Sequence, residues 1–173
     1  MHIVDCTHAA HADAILAILN DAIVTSTALY DYVPRPPEAM ATWFANKEKG
    51  GFPVIGAVAD DGTLLGFASY GTFRAFPAYK YTVEHAIYVH KDHRRHGLAR
   101  TLLEHLVERA RRQDVHCIVG AIDMDNHGSI ALHESMGFVH AGTIRQAGFK
   151  FGRWLDVGFY QRLLETPLEP RDG

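Results

Sequence analysis

Glu84 precedes a basic turn, Arg94-Arg95-His96-Gly97-Leu98-Ala99, within the stretch TVEHAIYVHKDHRRHGLARTLLEHLVERA from Thr82 to Ala110. The stretch reads as a strand, the turn and an amphipathic helix whose apolar stripe is Leu98, Leu102, Leu103, Leu106 and Val107. Gly97 lets the backbone bend and approach a ligand closely, and Ala99 is small where the helix begins. A helix start directs unpaired N–H groups and partial positive charge at one spot, which suits a phosphate. By the motif alone a solvated basic loop is an equal reading; the strand-turn-helix setting favours the anion site. There is no G-K-[ST] sequence, so this is not a Walker loop.

Glu84 is the one carboxylate in its strand and, if buried, would have its pKa raised towards that of a useful general base. The alternative is a structural carboxylate paired with Arg74, Lys80 or His85. Neither Cys6 nor Cys117 lies in a motif that would make it a nucleophile. Twelve histidines invite a metal reading. His85 and His90, however, have opposite parity on one strand, and His93 and His96 lack a clustered ligand set. No metal is expected.

These groups need a scaffold, and 173 residues suffice for one domain with a short C-terminal tail. A formal net charge of −3 argues against a general nucleic-acid binder. No apolar run approaches transmembrane length and no signal-peptide core is evident, so a cytoplasmic protein with reduced thiols is expected. His2 to Cys6 reads as a strand, with Thr7 capping a helix in which Ile15, Leu16, Ile18, Leu19, Ala22 and Ile23 recur. A second helix is predicted from about Pro37 to Lys49. A hairpin follows, turning at Asp60-Asp61-Gly62, then an aromatic, basic connector from Phe73 to Tyr81. Beyond the opening stretch come a strand from Cys117 to Ile122, a short helix from Asn126 to Ser135 and two closing strands. The order β-α-α-β-β-β-α-β-α-β-β implies an α/β (α+β) fold with a mixed sheet and helices on both faces.

At this point the chain resembles the GCN5-related N-acetyltransferase superfamily, whose Q/R-x-x-G-x-G/A turn binds the pyrophosphate of acetyl-CoA. Three further segments look like the phosphinothricin and methionine sulfone/sulfoximine acetyltransferases: YKYTVEH from Tyr79, NHGSIALHESMGF from Asn126, and QAGFKFGRWLD from Gln146. The resemblance runs from about Ile3 to Leu164. It implies a mostly antiparallel, twisted sheet of about seven strands with a splayed central pair and acetyl-CoA as co-substrate. The acceptor would be a small glutamate- or methionine-like amino acid, acetylated by direct attack, and the protein would be a homodimer with no nucleic-acid or membrane partner.

Carried onto this chain, the resemblance implies that backbone groups of Ile87, Tyr88 and Val89 hold the pantetheine arm as an added strand. Arg95, His96, Gly97, Leu98, Ala99 and Arg100 would wrap the pyrophosphate, with Asn126 and Ser135 also touching the cofactor. Glu84 becomes the expected base. His133, standing where many relatives carry tyrosine, becomes an expected donor to the departing thiol or part of a base relay, with a structural histidine as the alternative. An oxyanion donor is expected among the backbone N–H groups near Val89. Arg74 is the best candidate to grip the acceptor's carboxylate, with Lys80 and Lys150 as alternatives. Phe73, Phe76, Tyr79 and Phe149 would wall the pocket, and Tyr30 with Thr25-Ser26-Thr27 would form a lid. Acetylation of another amine, or a non-catalytic acetyl-CoA-binding module, are the competing readings.

Overall fold

The computed structural model describes residues 1–172. In chain order the elements are β1 (His2–Asp5), α1 (His8–Thr25), α2 (Ala39–Lys49), β2 (Val54–Val58), β3 (Leu64–Thr72), β4 (Thr82–Val89), α3 (Leu98–Arg112), β5 (Cys117–Asp123), α4 (His127–Ser135), β6 (Val139–Lys150) and β7 (Arg153–Leu163). This is the order expected from the sequence. The strands form one seven-stranded sheet, β1-β2-β3-β4-β5-β7-β6. β1 with β2, β2 with β3, β5 with β7 and β6 with β7 pair antiparallel, while β4 and β5 pair in parallel. Short 3-10 turns at Pro77–Tyr79 and Lys91–His93 add local order to the two connectors that flank β4.

The chain divides into two compact units. One comprises residues 1–71 and 86–106, the other residues 72–85 and the chain from 107 onward, so β4 and α3 contribute to both. In the first unit, Thr7 Oγ1 accepts from the Ala10 N–H and starts α1, a cap worth about 1 kcal/mol. The helix then buries Ile15, Leu16, Ile18 and Leu19 against Met40 of α2 and Val54, Leu64 and Phe67 of β2 and β3. Gly66 of β3 has no room for a side chain: a Cβ there would lie 2.8 Å from the Tyr88 carbonyl oxygen. The His90 N–H donates to the Leu65 carbonyl at 2.8 Å, which ties down the chain just beyond β4.

In the second unit the β4–β5 ladder runs only from Thr82↔Cys117 to Glu84↔Val119. Its start is held because the Tyr81 carbonyl accepts from the N–H groups of His116 and Cys117, at 2.8 and 3.0 Å. Ile118, Phe138 and Leu155 are buried here. The β6–β7 hairpin closes through Phe151 and Gly152, both with positive φ (52° and 73°), a two-residue turn suited to strand twist. The C-terminal segment folds back along this unit. Leu164 N–H donates to the His116 carbonyl, and Thr166 Oγ1 to that of Val115. The Tyr81 hydroxyl accepts from the Arg171 N–H at 3.1 Å and donates to the Arg171 carbonyl at 3.3 Å.

Candidate active site

The basic turn belongs to the first unit. After Val89, His90 Nδ1 accepts from the Asp92 N–H and organises the 3-10 turn. Arg95 then takes φ 65° and Gly97 φ 77° before α3 begins at the buried Leu98. A Cβ on Gly97 would meet nothing within 4 Å, so glycine serves the backbone conformation there and leaves the turn open on that side. The first N–H groups of α3 lack intrahelical carbonyl partners by construction, and Arg95, His96 and Arg100 are exposed around them. Arg94, the first residue of the motif, is engaged elsewhere. Its guanidinium lies 3.1 Å from Asp21 Oδ2 of α1 and donates through Nε to the Val89 carbonyl at 3.3 Å. It braces the turn against α1. Ile87, Tyr88 and Val89 form the end of β4, where the Tyr88 ring packs on Phe67.

The second unit holds the acid–base candidates. Glu84 is half-buried at the last register pair with β5. Burial raises its pKa above the usual carboxylate range, and the positive charge of Arg74 opposes that rise. Arg74 is exposed, its guanidinium over the Phe73 ring at 4.6 Å and donating to the Phe73 carbonyl at 3.1 Å. Phe73 meets Tyr79 edge-on. Phe76 is 71% exposed, the Tyr79 ring is also exposed, and the Lys80 Nζ sits over the Tyr81 ring. The connector therefore presents a cation and aromatic faces in the same unit as Glu84. Lys150, the alternative cation, is buried at 4% exposure, with its Nζ over the Phe151 ring.

His133 on α4 is buried, and both its ring nitrogens are engaged inside the protein. Nδ1 lies 2.7 Å from the Ser129 carbonyl, and Nε2 lies 3.0 Å from His85 Nε2. The structure thus brings His133 to His85, whose side chain leaves β4 on the face opposite to that of its neighbour Glu84. Asn126 caps α4 by accepting from the Ser129 N–H, and Ser135 Oγ donates to the Leu132 carbonyl. Gly137, at φ 80°, ends the helix.

Sequence reasoning gave His85 no role of its own, because a contact between positions 48 residues apart leaves no local periodicity. A signal was present in Gly120, a glycine inside a strand, which often marks a close approach. A Cβ there would lie 2.9 Å from His85 Nε2 and 3.4 Å from His133 Nε2. Gly66 carries the same kind of signal on β3. Among the described residues no three His, Cys, Asp or Glu side chains are grouped to hold a metal ion. Nor is any helix there long and apolar enough to cross a membrane.

The seven-stranded, mostly antiparallel mixed sheet, with a glycine-bearing basic turn after its fourth strand, is the architecture of the GNAT acetyltransferases. The chain belongs to the Acetyltransferase (GNAT) family, which it matches over residues 17–138. It is 44% identical over 151 residues to the L-methionine sulfoximine/L-methionine sulfone acetyltransferase of Pseudomonas aeruginosa, covering 87% of this chain and 88% of that one. It is 38% identical over 165 residues to the phosphinothricin N-acetyltransferase of Streptomyces viridochromogenes, covering 94% and 88%. Among solved structures, a GNAT superfamily phosphinothricin acetyltransferase from Sinorhizobium meliloti in complex with acetyl-CoA superposes with a TM-score of 0.92. That match has 31% identity and covers 98% of this chain and 91% of that one.

Proposed function

We propose that this acetyltransferase moves the acetyl group of acetyl-CoA to the α-amino group of a small amino acid of the methionine sulfoximine, methionine sulfone or phosphinothricin class. The observation that carries the reading is Glu84. It is a half-buried carboxylate of raised pKa, under the influence of Arg74, on the strand that leads directly into the anion turn. Curated relatives with those acceptors in their names support the acceptor class.

An α-ammonium group has no lone pair, so Glu84 takes one of its protons, directly or through water. The neutral amine then attacks the thioester carbonyl carbon, and an N–C bond forms as the carbonyl π pair moves to oxygen. When that pair returns, the C–S bond breaks and CoA leaves as thiolate, and the nitrogen gives its surplus proton to that thiolate or to water, leaving the neutral amide. A thiol of pKa about 8.5 makes that departure undemanding. Arg74 binds the acceptor's carboxylate, and Phe76, Tyr79 and Lys80 shape the acceptor side. In the first unit, backbone groups of Ile87, Tyr88 and Val89 hold the pantetheine arm, while residues 95–100 take the pyrophosphate. Direct transfer is supported by the cysteines. Burial pushes the Cys6 thiol up to about 12 and raises that of Cys117, so neither supplies a thiolate at neutral pH.

The two unpaired cysteines also suit a reducing, cytoplasmic setting. Exposed apolar side chains along the β6–β7 hairpin, among them Val139, Ile144, Phe151 and Trp154, support a homodimer. Release of the CoA thiol, measured across a panel of acceptors, tests the function. Turnover with methionine sulfone and none with peptides is the expected result; the reverse pattern would assign a different acceptor.

A further inference from the structure

We propose that His85 and His133 form a one-proton imidazole pair that pins β4 beside Glu84, so that His133 is a positioning residue acting through His85. This inference rests on Glu84 as the base. The proton assignment follows from the partners. The Ser129 carbonyl can only accept, so the hydrogen at 2.7 Å belongs to His133 Nδ1. A neutral imidazole has one N–H, which leaves His133 Nε2 as a lone pair. The 3.0 Å contact between the two Nε2 atoms needs one proton, and His85 must supply it. His85 Nδ1 is then a bare nitrogen, and among the described residues it is the buried side-chain atom that has no hydrogen-bond partner.

Packing holds this arrangement rigid. The two ring planes lie within 17° of parallel with centroids 5.0 Å apart, as an edge-to-edge N–H···N contact requires, and Phe138 meets both edge-on. Gly120 keeps open the space into which the paired nitrogens fit. Burial lowers the pKa of both rings, that of His85 to about 3, which keeps the pair neutral. A donor to the departing thiolate would need a proton on an atom free to face it. The single proton of His133 is committed to Ser129, and protonating Nε2 would set a buried cation against the His85 N–H. What the pair does offer is position. His85 follows the final β4–β5 register pair, Glu84↔Val119, so fixing its ring fixes the backbone from which Glu84 projects.

The test combines ring-nitrogen NMR of the unaltered protein with a mutant cycle. At neutral pH the spectra should show a hydrogen on His133 Nδ1 and on His85 Nε2; a hydrogen on His133 Nε2, or a cationic His133, overturns the assignment. His133→Gln keeps an acceptor for His85 and should hold kcat within about threefold, whereas His133→Phe should lower it about tenfold or more. In a Glu84→Gln background, His133→Phe should cost little further, because both changes act through one group. Losses that multiply, or equal losses in His133→Gln and His133→Phe, would assign His133 a separate chemical step. Should His133→Phe not fold, the spectra and the Gln variant decide. Full activity in Glu84→Gln alone would defeat the base assignment, while the spectra would still report the pair.

Discussion

Glu84 gains its chemical character from being half-buried and from Arg74, which pull its pKa in opposite directions with burial the stronger. Glu84→Gln keeps shape but cannot take a proton. It should lower kcat by about 100-fold or more, with acetyl-CoA affinity unchanged. Steady-state kinetics with a calorimetric titration of the cofactor checks this, and unchanged turnover at every pH would remove Glu84 from the role. Because the base works only when ionised, kcat/KM should fall as pH drops through the raised Glu84 pKa and level off above it. Glu84→Gln should abolish that limb. His85 makes a separate prediction about stability. Its folded pKa of about 3 lies below the ordinary imidazole value of 6.5, so folding favours the neutral ring. That contribution is complete above pH 6.5 and is lost as pH falls towards 3. Thermal unfolding followed against pH should show acid destabilisation beginning there, shallower in His85→Gln. Glu84 could be picked out from the sequence by its place in a strand ahead of a basic turn. The His85 contact could not, since only tertiary folding joins it to α4.

The elements were legible to the extent that local pattern made them. α1 announces itself through Thr7 and the spacing from Ile15 to Ile23, and α3 through its leucines. The 3-10 turn at Pro77–Tyr79 was hidden because aromatic and basic residues there follow no period. Arg94 was visible as a motif residue, but its partner Asp21 lies 73 positions away on another helix. At this scale the turn should respond to Gly97→Val. A β-branched residue strains a φ of 77°, so acetyl-CoA should bind more weakly in a titration without acceptor. An unaffected dissociation constant would place the pyrophosphate elsewhere. Gly120→Ala should act on folding, because its methyl group would press on both imidazoles. A loss of about 1–3 kcal/mol in denaturant unfolding is expected, as for an overpacked core.

At the scale of the whole molecule, the β6–β7 hairpin leaves large apolar side chains open to solvent. Trp154 is 58% exposed and Phe151 57% exposed, which is unusual on one hairpin unless another surface covers them. If the protein dimerises through this hairpin, Trp154→Glu should shift it to monomer in sedimentation velocity; an unchanged sedimentation coefficient would remove the hairpin from that role. Sequence shows such residues as aromatic and apolar without revealing whether they face a core, because alternation along a strand is the same in both cases.

The clasp between Tyr81 and the C-terminal segment carries a different lesson. The Tyr81 hydroxyl bonds the N–H and carbonyl of Arg171, while the Arg171 side chain is 81% exposed beside Glu169. Main-chain groups are common to every residue but proline, which lacks the N–H. Tyr81 therefore registers the spacing between β7 and position 171 and is indifferent to which non-proline side chain stands there. Across related chains that position should vary in identity while its spacing from β7 holds, and a single-residue deletion between them should be felt where β4 begins.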